Sequence, residues 1–274
     1  MANHPDDPIF DQKDGLPRLL EIMRRLRDPQ SGCPWDIEQD FASIAPYTIE
    51  EAHEVADAIE RRAWDELEGE LGDLLLQVVY HAEMGAEAGL FDFDSIARGI
   101  CAKMIARHPH VFGSESRNKS AAQQSRDWER LKAAERGTAG LLDGVALGLP
   151  ALMRAVKLQN RAARVGFDWP DTGPVLDKLR EEAGELVEAR DRLTQAEVEE
   201  EMGDLLFVMA NLARHLKVDP EAALRRANAK FERRFKGIEA ALAAEGRHPE
   251  QASLAEMDAL WEAEKTREKQ APDT

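Results

Sequence analysis

Four carboxylates stand at one fixed spacing twice in this chain, and the two sets lie 131 residues apart. Glu51, Glu54, Glu70 and Asp73 in the first half correspond to Glu182, Glu185, Glu201 and Asp204 in the second, inside the stretches EEAHE…ELGDLLL and EEAGE…EMGDLLF. Acids three residues apart on a helix share one face. In the second half Glu185 and Glu201 are each eight residues from Leu193, and Glu182 and Asp204 are each eleven. In the first half the same symmetry runs about Arg62, pairing Glu54 with Glu70 and Glu51 with Asp73. An antiparallel helical hairpin sets residues equidistant from its turn side by side. Each quartet is therefore expected to converge at one level, roughly 12–17 Å from the turn at the α-helical rise. A chain with this pattern is constrained to fold as two helical hairpins related by duplication.

The rest of the sequence agrees with an all-α architecture. Apolar residues recur at spacings of three and four nearly throughout, and alternating β-type runs are scarce. The spacing predicts helices over 16–27, 48–62, 65–88, 94–107 and 120–136, then over 150–165, 174–192, 195–216, 220–245 and 254–269. Thr48 with Glu51 and Thr194 with Glu197 fit capping boxes, and Asp219-Pro220 supplies an N-cap followed by proline at the first helical position. Between the halves, RGTAGLLDGVALGLP carries glycines at 137, 140, 144 and 148, a composition that disfavours helix. The expected organisation is a first domain over 1–136, a Gly-rich linker over 137–149 and a second domain over 150–269.

The duplication extends past the acids. Pro34-Trp35-Asp36 precedes the first quartet, and Gly166-Phe167-Asp168-Trp169 precedes the second. Lys103 and Arg107 follow the first quartet as Lys230 and Arg234 follow the second, and Trp128 with Lys132 is matched by Trp261 with Lys265. Read alone, Lys230 and Arg234 are an ordinary solvated basic pair, since surface charges rarely belong to a site. Trp261 alone is a docking anchor for its helix, and Phe167-Asp168-Trp169 is structural.

Composition narrows the chemistry. A formal net charge of −17 leaves no basic face for nucleic acid. Only two cysteines, Cys33 and Cys101, argue against a disulfide framework and for a reducing compartment. No apolar run reaches bilayer length, and the polar N-terminus does not read as a signal peptide. A cytoplasmic protein with no membrane partner is expected.

Four facing carboxylates repel one another and raise one another's pKa values. Their retention in both halves points to divalent cations between them, and an all-oxygen donor set suits Mg²⁺ or Mn²⁺. A solvated, salt-bridged helix face is the bland alternative for a single EExxE string; mirror symmetry about both turns disfavours it. A di-iron bundle requires Glu-x-x-His pairs, which neither quartet contains. His53 and His81 read as surface or packing residues.

The pattern EExxE followed by ExxD after a helical turn resembles the MazG family of nucleoside triphosphate pyrophosphohydrolases, in its long tandem form. The resemblance also covers residues 19–54, RHPHVF at 107–112, PALMRAVKLQNRAARVGFDW at 150–169, KFERRF at 230–235 and Trp261. It implies tandem all-α domains akin to dimeric dUTPases and phosphoribosyl-ATP pyrophosphohydrolase. It further implies a homodimer and Mg²⁺-dependent hydrolysis of NTPs or dNTPs to the monophosphate and pyrophosphate, with low base selectivity. Catalysis and metal binding would fall to Glu182, Glu185, Glu201 and Asp204. Substrate binding would fall to Lys230, Arg234, Trp261 and Lys265, and Glu51, Glu54, Glu70 and Asp73 would form a second possible metal site. The competing expectations are a narrower dUTPase-like or phosphoribosyl-ATP hydrolase and a non-catalytic nucleotide-binding regulator.

Overall fold

A computed structural model describes residues 7–116, 118, 120, 123, 124, 127, 128 and 140–270. Every regular element among them is helical. The chain divides into two compact units, Met1–Glu135 and Arg136–Thr274. The first contains α1 (Leu16–Leu26), α2 (Pro34–Glu38), α3 (Phe41–Arg61), α4 (Trp64–Glu87), α5 (Phe93–Arg107) and the short α6 (Pro109–Phe112). The second contains α7 (Ala151–Ala163), α8 (Thr172–Arg192), α9 (Gln195–His215), α10 (Pro220–Ala244) and α11 (Leu254–Gln270).

Each unit is organised around one antiparallel hairpin, α3 with α4 and α8 with α9. The duplication holds to the residue. Helices α3 and α8 both follow an aspartate N-cap, Asp40 and Asp171, whose side chains accept from Ser43 and Gly173 backbone N–H groups. Fully buried Ala58 and Ala189 occupy equivalent places, where a small side chain lets the paired helices approach. The turns differ locally: Arg62 ends α3 in the left-handed region at φ 58°, whereas Leu193 ends α8 extended. In the first unit α1 packs on α4 over a core of Met23, Ile44, Val79, Tyr80 and Met84. In the second, α7 packs on α9 and α10, and α11 lies along α10. That last approach is close: a Cβ added at Gly237 would collide with the Glu264 carboxyl group.

Two expectations require correction. Helix α3 begins at Phe41, not Thr48, because Asp40 and Ser43 form the capping box. Pro46 then lies inside the helix on an exposed turn, where water can satisfy the carbonyl that its missing N–H leaves open. Thr48 is therefore not a cap; its hydroxyl donates to the Ile44 carbonyl and meets His81 Nε2 at 3.1 Å. Helix α2 lies between the first two expected helices, in a stretch for which none was expected. The capping box at Thr194 and the Asp219 N-cap form as expected. The helix expected over 120–136 and Lys132 lie largely outside the described residues, and residues 140–150 run as turns, with Asp143 and Gly144 carbonyls accepting from Arg161.

Candidate metal centre and its surroundings

The mirror symmetry of the acids is realised. In the second unit, carboxylate oxygens of Glu182, Glu201 and Asp204 all lie within 4.8 Å of one another, and the first unit repeats this with Glu51, Glu70 and Asp73. Glu182 is buried, Glu201 is half-buried and Asp204 is exposed. Glu185 and Glu54, the remaining members, stand beside each trio: Glu185 repels Glu201, and Glu54 acts in the same way on Glu51 and Glu70. Burial first, then the charges of Glu185, Glu182 and Asp204, push the Glu201 carboxyl above its ordinary range. Burial and the neighbouring acids do the same to Glu51 and Glu70. Acids held this close against their own repulsion, with oxygen donors only, fit a hard divalent cation.

One cation of the chain already touches the second quartet. Lys178 Nζ lies 2.7 Å from Glu182 Oε1 and 2.7 Å from Glu181 Oε1, one helical turn earlier on α8. Both acids hold the lysine well above the ordinary range of its type. The counterpart of Lys178 in the first unit is Tyr47, which packs edge-on against Trp35 at 6.4 Å. Sequence reasoning missed Lys178, although its i,i+4 relation to Glu182 is a readable signal.

The other expected site residues form a second cluster, on α10 and α11. The Arg234 guanidinium lies over the Trp261 ring at 5.4 Å and donates twice to Glu268, at 2.7 and 2.8 Å. Phe231 also meets Trp261, with ring centroids 5.4 Å apart. Lys265 pairs with Glu262 at 2.7 Å, and Lys230 is exposed one turn before Arg234. No hydrogen bond or ion pair among the described residues joins this cluster to the quartet. The first unit keeps the same cation–aromatic pair, Arg107 over Trp128 at 5.0 Å.

A cleft of about 540 Å³ opens in the second unit, lined by α7, the loop carrying Phe167, Asp168 and Trp169, and α9, where its wall residue Phe207 follows Asp204 by three positions. Asp168 accepts from Arg214 and lies 3.2 Å from His215 Nε2, which ties this loop to the end of α9. Burial works against the Asp168 charge, yet the Arg214 guanidinium outweighs it and holds the carboxyl below its usual range. Sequence reasoning left this loop out of the site.

The family described as "MazG nucleotide pyrophosphohydrolase domain" matches residues 39–112 and again residues 174–238, so that each match begins at a hairpin and runs into the helix after it. A nucleoside triphosphate pyrophosphohydrolase of Escherichia coli K12 is 52% identical over 92% of this chain and 98% of its own length. The nucleoside triphosphate pyrophosphohydrolase/pyrophosphatase MazG of Thermotoga maritima is 43% identical over 90% of this chain and 94% of its own. A nucleoside triphosphate pyrophosphohydrolase of Mycobacterium tuberculosis is 36% identical, over 55% of this chain and 46% of its own.

Proposed function

The chain belongs to the MazG family of nucleotide pyrophosphohydrolases, and from that membership we infer how its own residues act. It hydrolyses nucleoside triphosphates to the monophosphate and pyrophosphate in a metal-dependent reaction. Mg²⁺ is the cation, with Mn²⁺ able to substitute, and Glu182, Glu185, Glu201 and Asp204 would hold it. The observation that carries this reading is the convergence of Glu182, Glu201 and Asp204 within 4.8 Å, with Glu185 alongside. When bound, the cation screens the phosphate oxygens and lowers the pKa of water.

The residues of the chain divide the remaining work. A carboxylate of the quartet takes the proton of the water that attacks the α-phosphorus. Lys230, exposed on α10, neutralises charge developing on the leaving pyrophosphate. Arg234 and Lys265 join it when phosphate displaces Glu268 and Glu262 from them, and Trp261 covers the bound nucleotide. Base selectivity is low. The second unit carries catalysis, and the first quartet is a second metal site.

The active form is a homodimer. Its support is an apolar stripe repeated on both hairpins: Leu71, Leu75 and Val78 on α4, and Met202, Leu206 and Met209 on α9, are counterparts and all exposed. Free Cys33 and Cys101 accord with the cytoplasm, and no helix of the described residues is long and apolar enough to cross a membrane.

The test is pyrophosphate release from ATP and a panel of NTPs and dNTPs, with Mg²⁺, by Glu201→Gln and Asp204→Asn chains. Loss by at least about 100-fold is expected for removal of a charged group acting in the transition state. Wild-type rates in both variants overturn the assignment.

A further inference from the structure

The cleft of the second unit has a built polar end. Gln159 is 6% exposed, and its Nε2 donates to the Phe207 backbone carbonyl at 2.8 Å. A carbonyl only accepts, so this bond fixes which way the amide points, and Oε1 is the atom left buried without a partner. Asn211, also 6% exposed, accepts from Arg214 through Oδ1 at 3.1 Å, which leaves its amide N–H groups as donors. Arg214 Nε is likewise buried and unpartnered. A buried acceptor left open is costly unless a ligand or an ordered water completes it.

The walls are flat and apolar. Leu158, Phe207, the largely exposed ring of Phe167 and the partly covered ring of Trp169 line the sides. Helix α9 connects this cleft to the acids in one stripe: Glu201, Asp204, Phe207, Asn211 and Arg214 follow at spacings of three and four. At the α-helical rise, Phe207 to Asn211 lies roughly 5–10 Å beyond Asp204 along the axis. That separation accommodates a ribose between a phosphate at the acids and a ring in the cleft.

The first unit is built differently at the same place. The counterpart of Asn211 is Tyr80, which is 4% exposed and belongs to the core. Its hydroxyl donates to the Asp36 carbonyl at 2.9 Å, and the buried Arg27 guanidinium lies 5.5 Å from its ring centroid. Arg27 is itself fixed by Glu87 and by the Asp36 and Gln39 carbonyls. Phenol and guanidinium together fill what Asn211 leaves open.

We propose that the α7–α9 cleft receives the nucleobase of the triphosphate, with Gln159 Oε1 and the Asn211 amide reading its polar edge, and that Tyr80 closes the equivalent place in the first unit. Every nucleobase carries adjacent donors and acceptors on such an edge, and its faces stack on aromatic rings. The inference rests on the pyrophosphohydrolase reading and deepens it. It gives the first quartet a divalent cation without a nucleotide.

Gln159→Met keeps the volume and removes the acceptor; Asn211→Tyr installs the residue of the first unit. In the full chain with Mg²⁺, each should raise KM for NTPs and Ki for the product monophosphate by about tenfold or more, the loss expected for a buried hydrogen bond. Ki for pyrophosphate and kcat should stay near wild type, since neither variant touches the phosphate end. Unchanged KM and monophosphate Ki in a folded Gln159→Met chain would overturn the proposal. So would an equal loss for pyrophosphate, or a change of oligomeric state that accounts for the kinetic change and marks the cleft as a subunit contact. Should the wild-type chain release no pyrophosphate from any NTP, the catalytic reading fails by itself. Equilibrium dialysis of AMP, CMP, GMP and UMP against wild type and Gln159→Met then decides the cleft alone, with equal or absent binding overturning it.

Discussion

Glu182 and Glu51 are counterparts in the two hairpins, yet among the described residues only Glu182 forms an ion pair, through Lys178. A buried carboxylate without a compensating charge is unstable. Lys178→Met should therefore lower the melting temperature of the metal-free protein, measured in EDTA, and added Mg²⁺ should close most of the gap. A variant that melts like wild type in EDTA would show that the lysine does not stabilise the quartet. The acids themselves were legible in the sequence because helical spacing and symmetry about a turn are one-dimensional signals. Lys178 was legible in principle, as an i,i+4 partner of Glu182. Gln159 was not: a glutamine on an apolar helix face carries no mark until the Phe207 carbonyl of another helix lies 2.8 Å away. The same holds for Arg234, which by itself reads as an ordinary solvated charge and only through the family resemblance as a substrate ligand; in the fold it meets Glu268 from a helix some thirty residues later.

At the scale of elements, the hairpins are set by their ends. Thr194 accepts from the Glu197 backbone N–H, while the Glu197 carboxylate accepts from Thr194 in return. Thr194→Ala should cost the second unit about 1 kcal/mol in denaturant unfolding, with no change in the slope against denaturant. The start of α3 is hidden in the sequence because Pro46 looks like a helix breaker; only the exposure of its turn makes it tolerable. The facing acids also give each hairpin a pH dependence of known sign. Glu201, Glu51 and Glu70 have folded pKa values raised above the ordinary 4.5. Each thus favours the fold while protonated, fully below the unfolded value, and loses that contribution as pH rises through the raised folded value. A bound cation removes this loss by favouring the ionised form. The increase in melting temperature on adding Mg²⁺ should accordingly grow as pH is raised from about 5 upward. A Mg²⁺ effect that is flat with pH would mean that the cation binds elsewhere.

For the whole molecule, duplication has kept one half of a site twice and the other half once. Both units hold three carboxylates within 4.8 Å and a guanidinium over a tryptophan. Only the second has Asn211 where the first has buried Tyr80. Two fates for the first quartet differ in their physics. As a silent remnant, it would be relieved of repulsion by neutralising any one acid, and Glu70→Gln would stabilise the metal-free chain with no other consequence. As a cation site, Glu70→Gln would remove the Mg²⁺-dependent stabilisation of the first unit while pyrophosphate release continued in the second. The reverse pattern is expected of Glu201→Gln. Calorimetry of the full chain with and without Mg²⁺, read beside the pyrophosphate assay, separates these outcomes. The apolar stripes bear on the same experiment, because a subunit contact through α4 and α9 would couple both sites to association. Leu206→Asp sets a charge in the middle of the α9 stripe, two residues from Asp204 and next to Phe207. If the wild-type chain associates through this stripe, the variant should halve the mass in light scattering and make the Mg²⁺-dependent melting temperature independent of protein concentration, where the wild-type value rises with concentration.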